Sequence, residues 1–567
     1  MNRTKMAQKQ MILATTAHSH PEHRFTNLYS LLHWDYWIRC AANNVLARPG
    51  SSTAGVDGTT RDAFKKTYDD QIVTLIESLK RKTYSPLPVR RTYIPKGNGK
   101  TRPLGIPALR DRIVQEALRA ILDPIYESDF YFRSYGFRKG RCTMDAIAVI
   151  MPYLNTSLRY YYIIEGDIKS YFDEVHHRKL ISILKRRIGD QALLTLIWKF
   201  LKAGVMEDGL FARTEQGLPQ GGVCSPLWSN VYLNELDQWA SKRWDVHRNT
   251  QSRNRRAGRG NAVFVRYADD WLILSNGPKA EVQDIKNDVS HFLQTQLHLE
   301  LSEEKTRITH VNEGFAFLGY HLQRRYIDGR WVVHLRPTPE SKERIKRKIK
   351  TLTKSGWTWM DEYTRLKTLN AITRGWAEYY KYTSLLEDIE DITRFTWFRY
   401  LQWLLRKHKG SRKRQLITTK TKVVHGRTRW YATITEAGRT LEAWQWLPTR
   451  KELQRRRYPH RGKEQWEHPY LTKARTTEDY PMGETGPDER IYTAIVGVRD
   501  HHRKEPSQMA ERKLRVKMRD GFRCVYCGLS WVNLQVHHKK GTKSHRMKDL
   551  ETVCLSCHQE VTQASKT

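Results

Sequence analysis

Between residues 26 and 334 apolar positions recur with two periods that alternate along the chain. The segments 62–84 (DAFKKTYDDQIVTLIESLKRKTY) and 111–126 (DRIVQEALRAILDPIY) have the spacing of amphipathic helices. Between them, 89–107 (VRRTYIPKGNGKTRPLGIP) predicts a strand, a basic glycine-rich turn and a second strand. The stretch 160–172 (YYYIIEGDIKSYF) predicts a strand of aromatic and β-branched residues with Asp167 near its end. Residues 220–240 start at a glycine pair and run into another amphipathic helix, and FVRYADDWLIL at 264–274 predicts a hairpin with two aspartates between apolar runs. This mixture predicts an α+β domain on an antiparallel sheet. Beyond about 335 the character changes to basic, aromatic-bearing helices at 339–352 and 394–410. From about 411 to 510 the chain is rich in Arg, Lys, Pro and Gly, which predicts a weakly structured basic region without a large core. The expected organisation is a frayed polar end over 1–25, the α+β domain over 26–334, a helical domain over 335–450, a basic region over 451–510 and a small module over 511–567.

Composition narrows the partners. A chain of 567 residues holds roughly three to four domains, and 39% hydrophobic content supplies a sizeable core for part of it. Lys and Arg number 99 against 60 acids, a net charge of +39. That excess repels itself in the compact state and favours a polyanionic partner. The 18 Trp and 28 Tyr suit surfaces that stack on bases while cations neutralise phosphates. No 18-residue apolar run and no signal-peptide pattern is present, so a cytoplasmic protein with no membrane partner is expected. Cys40, Cys142 and Cys224 are scattered, whereas Cys524, Cys527, Cys554 and Cys557 form two C-x-x-C pairs that predict a metal site rather than disulfides.

An aspartate pair between strands is most simply a turn. A metal site is the alternative, because carboxylates in apolar surroundings are costly unless a cation offsets them. If the strand ending at Asp167 neighbours the hairpin carrying Asp269 and Asp270, three hard oxygen ligands converge, a set suited to Mg2+. Two Mg2+ ions about 3.5–4 Å apart activate an attacking hydroxyl and stabilise a leaving pyrophosphate.

The blocks KTRPLGIP, EGDIKSYFD, GLPQGGVCSPLWSN and YADD, in this chain order, resemble the reverse transcriptases, and most closely those encoded by group II introns. The resemblance implies a right-hand polymerase whose fingers and palm occupy 26–334 and whose catalytic triad is Asp167, Asp269 and Asp270. It implies that Phe172 is the wall under the sugar that excludes a 2′-hydroxyl, and that Lys96 and Arg102, flanking the GNG turn, grip the incoming deoxynucleoside triphosphate. Gln220 and Gly221 match the loop beside the nascent base pair, with glycine permitting close backbone approach. Lys305 matches a lysine proposed to protonate pyrophosphate, and FAFLGY (315–320) matches the hairpin that holds the primer end. WDYWIRCAANNVLARPGSSTAGVDGTT (34–60) resembles the N-terminal extension and first fingers block of the family.

Residues 335–450 correspond in this resemblance to the thumb, or maturase, domain, and LNAITRGWAEYYKY (369–382) resembles a recurrent motif of it. Arg374, Trp376, Tyr379 and Tyr380 are expected to pack rather than catalyse. The implied partner is the intron RNA, whose splicing the protein assists; the basic region would bind target DNA. The C-terminal module resembles the HNH nucleases, a ββα-metal element. Its four cysteines would hold a structural Zn2+, which in so small a domain supplies much of the folding energy. His538 matches the general base, and His537 and His558 match ligands of one catalytic divalent metal. Asp549 stands where the family usually carries Asn, so it could orient the base or join the metal shell. A structural finger that only binds DNA is the simpler alternative for this module. For the whole chain the alternatives are a reverse transcriptase of another retroelement or defence system, and an RNA-binding maturase alone. The oligomeric state is open at this level.

Overall fold

The computed structural model describes residues 2–95, 101–155, 159–207, 209–424, 426–436, 439–448, 468–471, 535–538 and 550–553. They fall into two compact units, Met1–His334 with Tyr458–Lys473, and Leu335–Arg457 with Ala474–Thr567.

The first unit is organised around the helix Leu109–Tyr126, which is buried on nearly every side and still carries charge. Each charged side chain has a partner, as burial requires. Tyr84 donates its hydroxyl to Asp111, Arg119 and Arg48 bind Glu116 at 2.7 and 3.1 Å, and Arg112 donates to the carbonyls of Pro107, Gly50 and Thr53. The N-terminal segment does not form the frayed end expected for it. Residues Asn2–Ser19 are a helix that buries Met6, Leu13 and Ala17 on one face, spaced seven and four apart, against the central helix. Gln10 donates to the Ala120 carbonyl at 2.8 Å, and Arg187 ties down the carbonyls of Ala17, His20 and His23. Small apolar residues dispersed among polar ones hid this face from the sequence pattern.

This unit contains two four-stranded sheets. One contains β1 (Val89–Pro95), β2 (Thr101–Ile106), β4 (Val205–Glu207) and β5 (Leu210–Ala212) in the order β2-β1-β4-β5. The other contains β3 (Tyr162–Gly166), β6 (Ala262–Tyr267), β7 (Asp270–Ser275) and β8 (Arg307–His310), antiparallel throughout, in the order β6-β7-β3-β8. Ile163, Ile164, Val265 and Ile273 are all fully buried, so both faces of this sheet are covered. The helix Ser225–Trp244 packs against β6, and its Asn230 and Asp237 bond Arg266 of that strand. A third sheet holds β9 (Phe315–Phe317), β10 (Tyr320–Ile327) and β11 (Arg330–Pro337). A short piece of the expected basic linker also belongs to this unit. Tyr470 is buried, donates its hydroxyl to Asp123 at 2.6 Å and lies under Lys139 at 4.0 Å, while His468 meets Ser128 at 3.1 Å.

The second unit packs the helices Pro339–Leu352, Glu362–Tyr379 and Glu387–Lys407 around Ile349, Leu369, Ile392 and Trp403. Thr338 and Asp361 cap two of them by accepting from Ser341 N and Thr364 N. Tyr380 packs against Trp376 and hydrogen-bonds Ser341 at 2.6 Å, while Tyr379 is exposed. The described residues within 411–448 form regular structure rather than a weak linker. The helix Lys413–Lys420 leads into β12 (Thr421–Val424), β13 (Arg427–Glu436) and β14 (Arg439–Trp444), which form one antiparallel sheet. Trp430 is fully buried there and donates its indole N–H to the Trp397 carbonyl. Near the C-terminus β15 (Gln535–His538) pairs antiparallel with β16 (Leu550–Val553).

Candidate active site

The strand register brings the three central carboxylates to one end of one sheet. Gly166 of β3 is paired with Trp271 of β7, so one step further Asp167 stands across from Asp270. Tyr267 of β6 is paired with Asp270, which leaves Ala268 and Asp269 as the two-residue hairpin turn. Gly166 is required by packing: a Cβ there would lie 2.0 Å from the buried Trp271 ring.

Ala268 adopts φ +58°, a left-handed conformation that two-residue hairpin turns need and that a non-glycine residue adopts at a cost of about 1–2 kcal/mol. The compensation lies underneath. Arg266, fully buried, donates to both oxygens of buried Asp237 at 2.7 and 2.5 Å, to Asn230 Oδ1 at 3.0 Å and to the Ala268 carbonyl at 2.7 Å. Asn230 in turn donates to the Gly136 carbonyl at 2.8 Å. A Cβ on Gly136 would sit 2.3 Å from Ala268 N, so the turn rests directly on this glycine. Sequence reading missed this support. Its one local signal is an arginine inside the apolar run of β6, because a buried cation demands a buried partner.

The carboxylates repel one another. Burial raises the Asp269 pKa, with Asp167 adding to it, and Arg102 and Arg266 partly offset the rise. Asp270, an exposed residue overall, is pushed up to about 6, first by burial of its carboxyl among protein atoms and then by Asp269 and Asp167. Asp167 pairs with Lys305 Nζ at 2.8 Å, whereas neither Asp269 nor Asp270 has an ion-pair partner within 4 Å among the described residues. Among the described residues no three acidic, His or Cys side chains are drawn together tightly enough to form a ready-made metal cage. Electrostatic coupling reaches further than ligation, so the two findings are compatible. The donor chemistry fits a hard divalent cation: oxygen ligands only, clustered negative charge and raised pKa values that a cation would relieve.

Around this cluster, Arg102 is exposed on β2, near enough to act on both Asp269 and Asp270, and Lys96 lies outside the described residues. Phe172 sits in the short helix Tyr171–Glu174 just past Asp167, partly buried against the core. The loop bearing Gln220 and Gly221 ties the neighbouring elements together. Leu218 N donates to the Phe172 carbonyl at 2.6 Å and Gly105 N donates to the Gln220 carbonyl at 2.7 Å. Gly221 has φ +110°, and a Cβ there would lie 2.6 Å from the Gly105 carbonyl oxygen, so the close approach that its lack of a side chain permits is to β2. FAFLGY forms the β9–β10 hairpin, whose turn residues Leu318 and Gly319 are both left-handed. Toward the C-terminus, the backbone pairing sets His537 opposite Glu551 and His538 opposite Leu550. Cys524, Cys527, Asp549, Cys554, Cys557 and His558 lie outside the described residues.

Comparison with known proteins fits this geometry. Residues 94–322 match the family described as reverse transcriptase (RNA-dependent DNA polymerase), and residues 342–421 match the group II intron, maturase-specific domain. Protein YkfC of Escherichia coli is 42% identical over 338 residues, 56% of this chain and 89% of that protein. The chain belongs to the group II intron-encoded reverse transcriptase/maturase family. The group II intron-encoded protein LtrA of Lactococcus lactis subsp. cremoris is 36% identical to this reverse transcriptase/maturase over 348 residues, 53% of the chain and 57% of LtrA. An uncharacterized 91 kDa protein in the cob intron of Schizosaccharomyces pombe is 33% identical over 340 residues, 52% of this chain and 41% of that protein. The match therefore spans little more than half of LtrA. No helix among the described residues is long and apolar enough to cross a membrane.

Proposed function

We propose that this reverse transcriptase/maturase copies RNA into DNA at the cluster of Asp167, Asp269 and Asp270, and that this synthesis serves the mobility of a group II intron whose RNA it binds and helps to splice. The observation that carries the polymerase reading is the register: three carboxylates from two separated segments share one sheet end, with Arg102 near enough to act on two of them. Asp167, Asp269 and Asp270 would hold a pair of Mg2+ ions. When bound, such ions lower the pKa of the primer 3′-hydroxyl and offset charge on the leaving pyrophosphate. Arg102 and Lys96 would bind the incoming triphosphate. Phe172, fixed through its carbonyl by Leu218, walls the sugar and excludes a 2′-hydroxyl by clash. Gln220 and Gly221 shape the floor under the nascent pair. Lys305, whose Nζ lies 2.8 Å from Asp167, would give a proton to the departing pyrophosphate.

The nuclease half of the proposal rests on the C-terminal Cys/His pattern and on the β15–β16 backbone hairpin that carries His537 and His538. Cys524, Cys527, Cys554 and Cys557 would hold a structural Zn2+, and His537 and His558, with Asp549, one divalent metal. His538 would take a proton from the attacking water. In this reading the protein nicks target DNA and extends the new 3′-end along the intron RNA. The maturase-domain match favours this over a retroelement or defence polymerase with no splicing role. The test is primer extension on an oligoribonucleotide template with Mg2+, together with sequencing of RNA that co-purifies. Absence of extension removes the polymerase assignment, and absence of intron RNA removes the maturase assignment.

A further inference from the structure

We infer that the helix Arg248–Arg256, with Arg259 just beyond it, docks the phosphate backbone of a folded RNA at a surface separate from the template–primer cleft. This rests on the maturase reading for the identity of the polyanion as RNA.

The helix reads RNTQSRNRR. It contains no acid and no apolar residue, and none of its residues is buried. A nine-residue helix without a buried face gains almost nothing from packing and is marginal by itself in water. Polar clamps hold it instead. His247 caps its start by accepting from Asn249 N at 3.2 Å, Asn254 donates to Asn261 at 3.1 Å, and Asn261 donates back to the Gln251 carbonyl at 3.1 Å. Asn261 is itself buried at the head of β6 and fixed by Asn276 at 2.6 Å. The polar side chains thus face the domain and the arginines face outward.

Arg248, Arg253, Arg255, Arg256 and Arg259 are all exposed, and none pairs with a carboxylate within 4 Å among the described residues. Elsewhere in this unit exposed arginines do find acids: Arg186 binds Glu235, and Arg243 binds Asp288 at 3.0 Å. Five uncompensated guanidinium groups on one small element repel each other, and the repulsion is relieved by phosphates, whose geometry the guanidinium fork matches. Position separates this patch from the polymerase site. Asn261 stands at the start of β6 and the Ala268–Asp269 turn follows its end, so the six residues of the strand set the two roughly 20 Å apart. A duplex engaged at the carboxylates is addressed by the other end of the sheet.

The test uses the full chain and a blunt-ended RNA duplex, with the polymerase cleft filled by an RNA template, a chain-terminated DNA primer and the next deoxynucleotide. The triple variant Arg253→Gln, Arg255→Gln, Arg256→Gln touches no buried residue and keeps the Asn254–Asn261 clamp. It should bind the duplex roughly tenfold or more weakly and lower the slope of log K against log salt by about two to three. Primer extension on a supplied template should keep its rate and template KM. Unchanged duplex affinity and slope would overturn the proposal. So would a parallel fall in template affinity, which would place these arginines in the cleft, or a stronger effect on an equivalent DNA duplex. Wild-type protein that fails to extend primers would remove the polymerase reading while leaving this surface standing or falling on its own binding result.

Discussion

Arg266→Lys tests how the aspartate turn is held. Arginine at this position makes two bonds to Asp237, one to Asn230 and one to the Ala268 carbonyl, from a site with no solvent access. Lysine keeps the charge but lacks the planar fork, so at least two of these directions are lost. Charge-assisted bonds contribute about 1.5–3 kcal/mol each, and leaving a buried partner unpaired costs about 3–5 kcal/mol. We therefore expect a stability loss of about 3 kcal/mol or more, a large share of the roughly 5–15 kcal/mol typical of a domain. The kinetic effect is distinct. Release of the Ala268 carbonyl lets a left-handed alanine relax, moving Asp269 relative to Asp167, and a misplacement of about 1 Å costs on the order of a hundredfold in rate. The assay is single-turnover primer extension at a temperature where circular dichroism finds the variant folded. The rate should fall with little change in the KM for deoxynucleotide. Asn230→Ala removes two buried bonds, one accepted from the Arg266 guanidinium and one donated to the Gly136 carbonyl, and should lower both stability and rate in the same direction. A folded Arg266→Lys protein with the wild-type rate, or a loss that tracks only the unfolded fraction, would refute the reasoning.

Gly166→Ala drives a methyl into the buried Trp271 ring, so the melting temperature should fall, by an overpacking cost of about 1–3 kcal/mol, and extension should slow. His538→Ala should abolish nicking of target DNA and spare extension from a supplied primer; equal nicking rates would end its assignment as the base. Asp111 gives a pH signature. Burial pushes its carboxyl up to about 6, against the donors Tyr84 and Leu87 N–H, which act in the opposite direction. A folded-state pKa above the unfolded value means that the folded protein binds the extra proton, so this group's contribution is greatest below about pH 4 and is lost as pH rises through about 6. Asp111→Asn should therefore gain stability relative to wild type at pH 7–8, by at most about 3 kcal/mol, and match it near pH 4; denaturation profiles at several pH values check the sign.

Much of the candidate site was legible because local pattern dictates it. The FVRYADDWLIL hairpin fixes its own register, and the strand ending EGD has only one face and one end on which Asp167 can stand. The support for that turn was not legible, since Asp237, Asn230 and Gly136 reach Arg266 and Ala268 through tertiary packing that no local periodicity encodes. The N-terminal helix was missed because Ala17 buries a face without raising its hydropathy. The β13–β14 hairpin was missed for a different reason. Its alternation, with Trp430 and Ala432 inward, is masked by the Arg and Thr that flank them, and composition read as a linker what pairing makes a sheet. The close approach of Gly221 to the Gly105 carbonyl of β2 was likewise not legible, because it depends on which strand the loop packs against.

The most direct test of the account is extension of a DNA primer on an oligoribonucleotide template by wild type and by Asp269→Asn, which removes a charge while keeping volume. The account predicts Mg2+-dependent extension by the wild type, none by the variant, and equal binding of RNA by both. Extension at the wild-type rate by Asp269→Asn would contradict it.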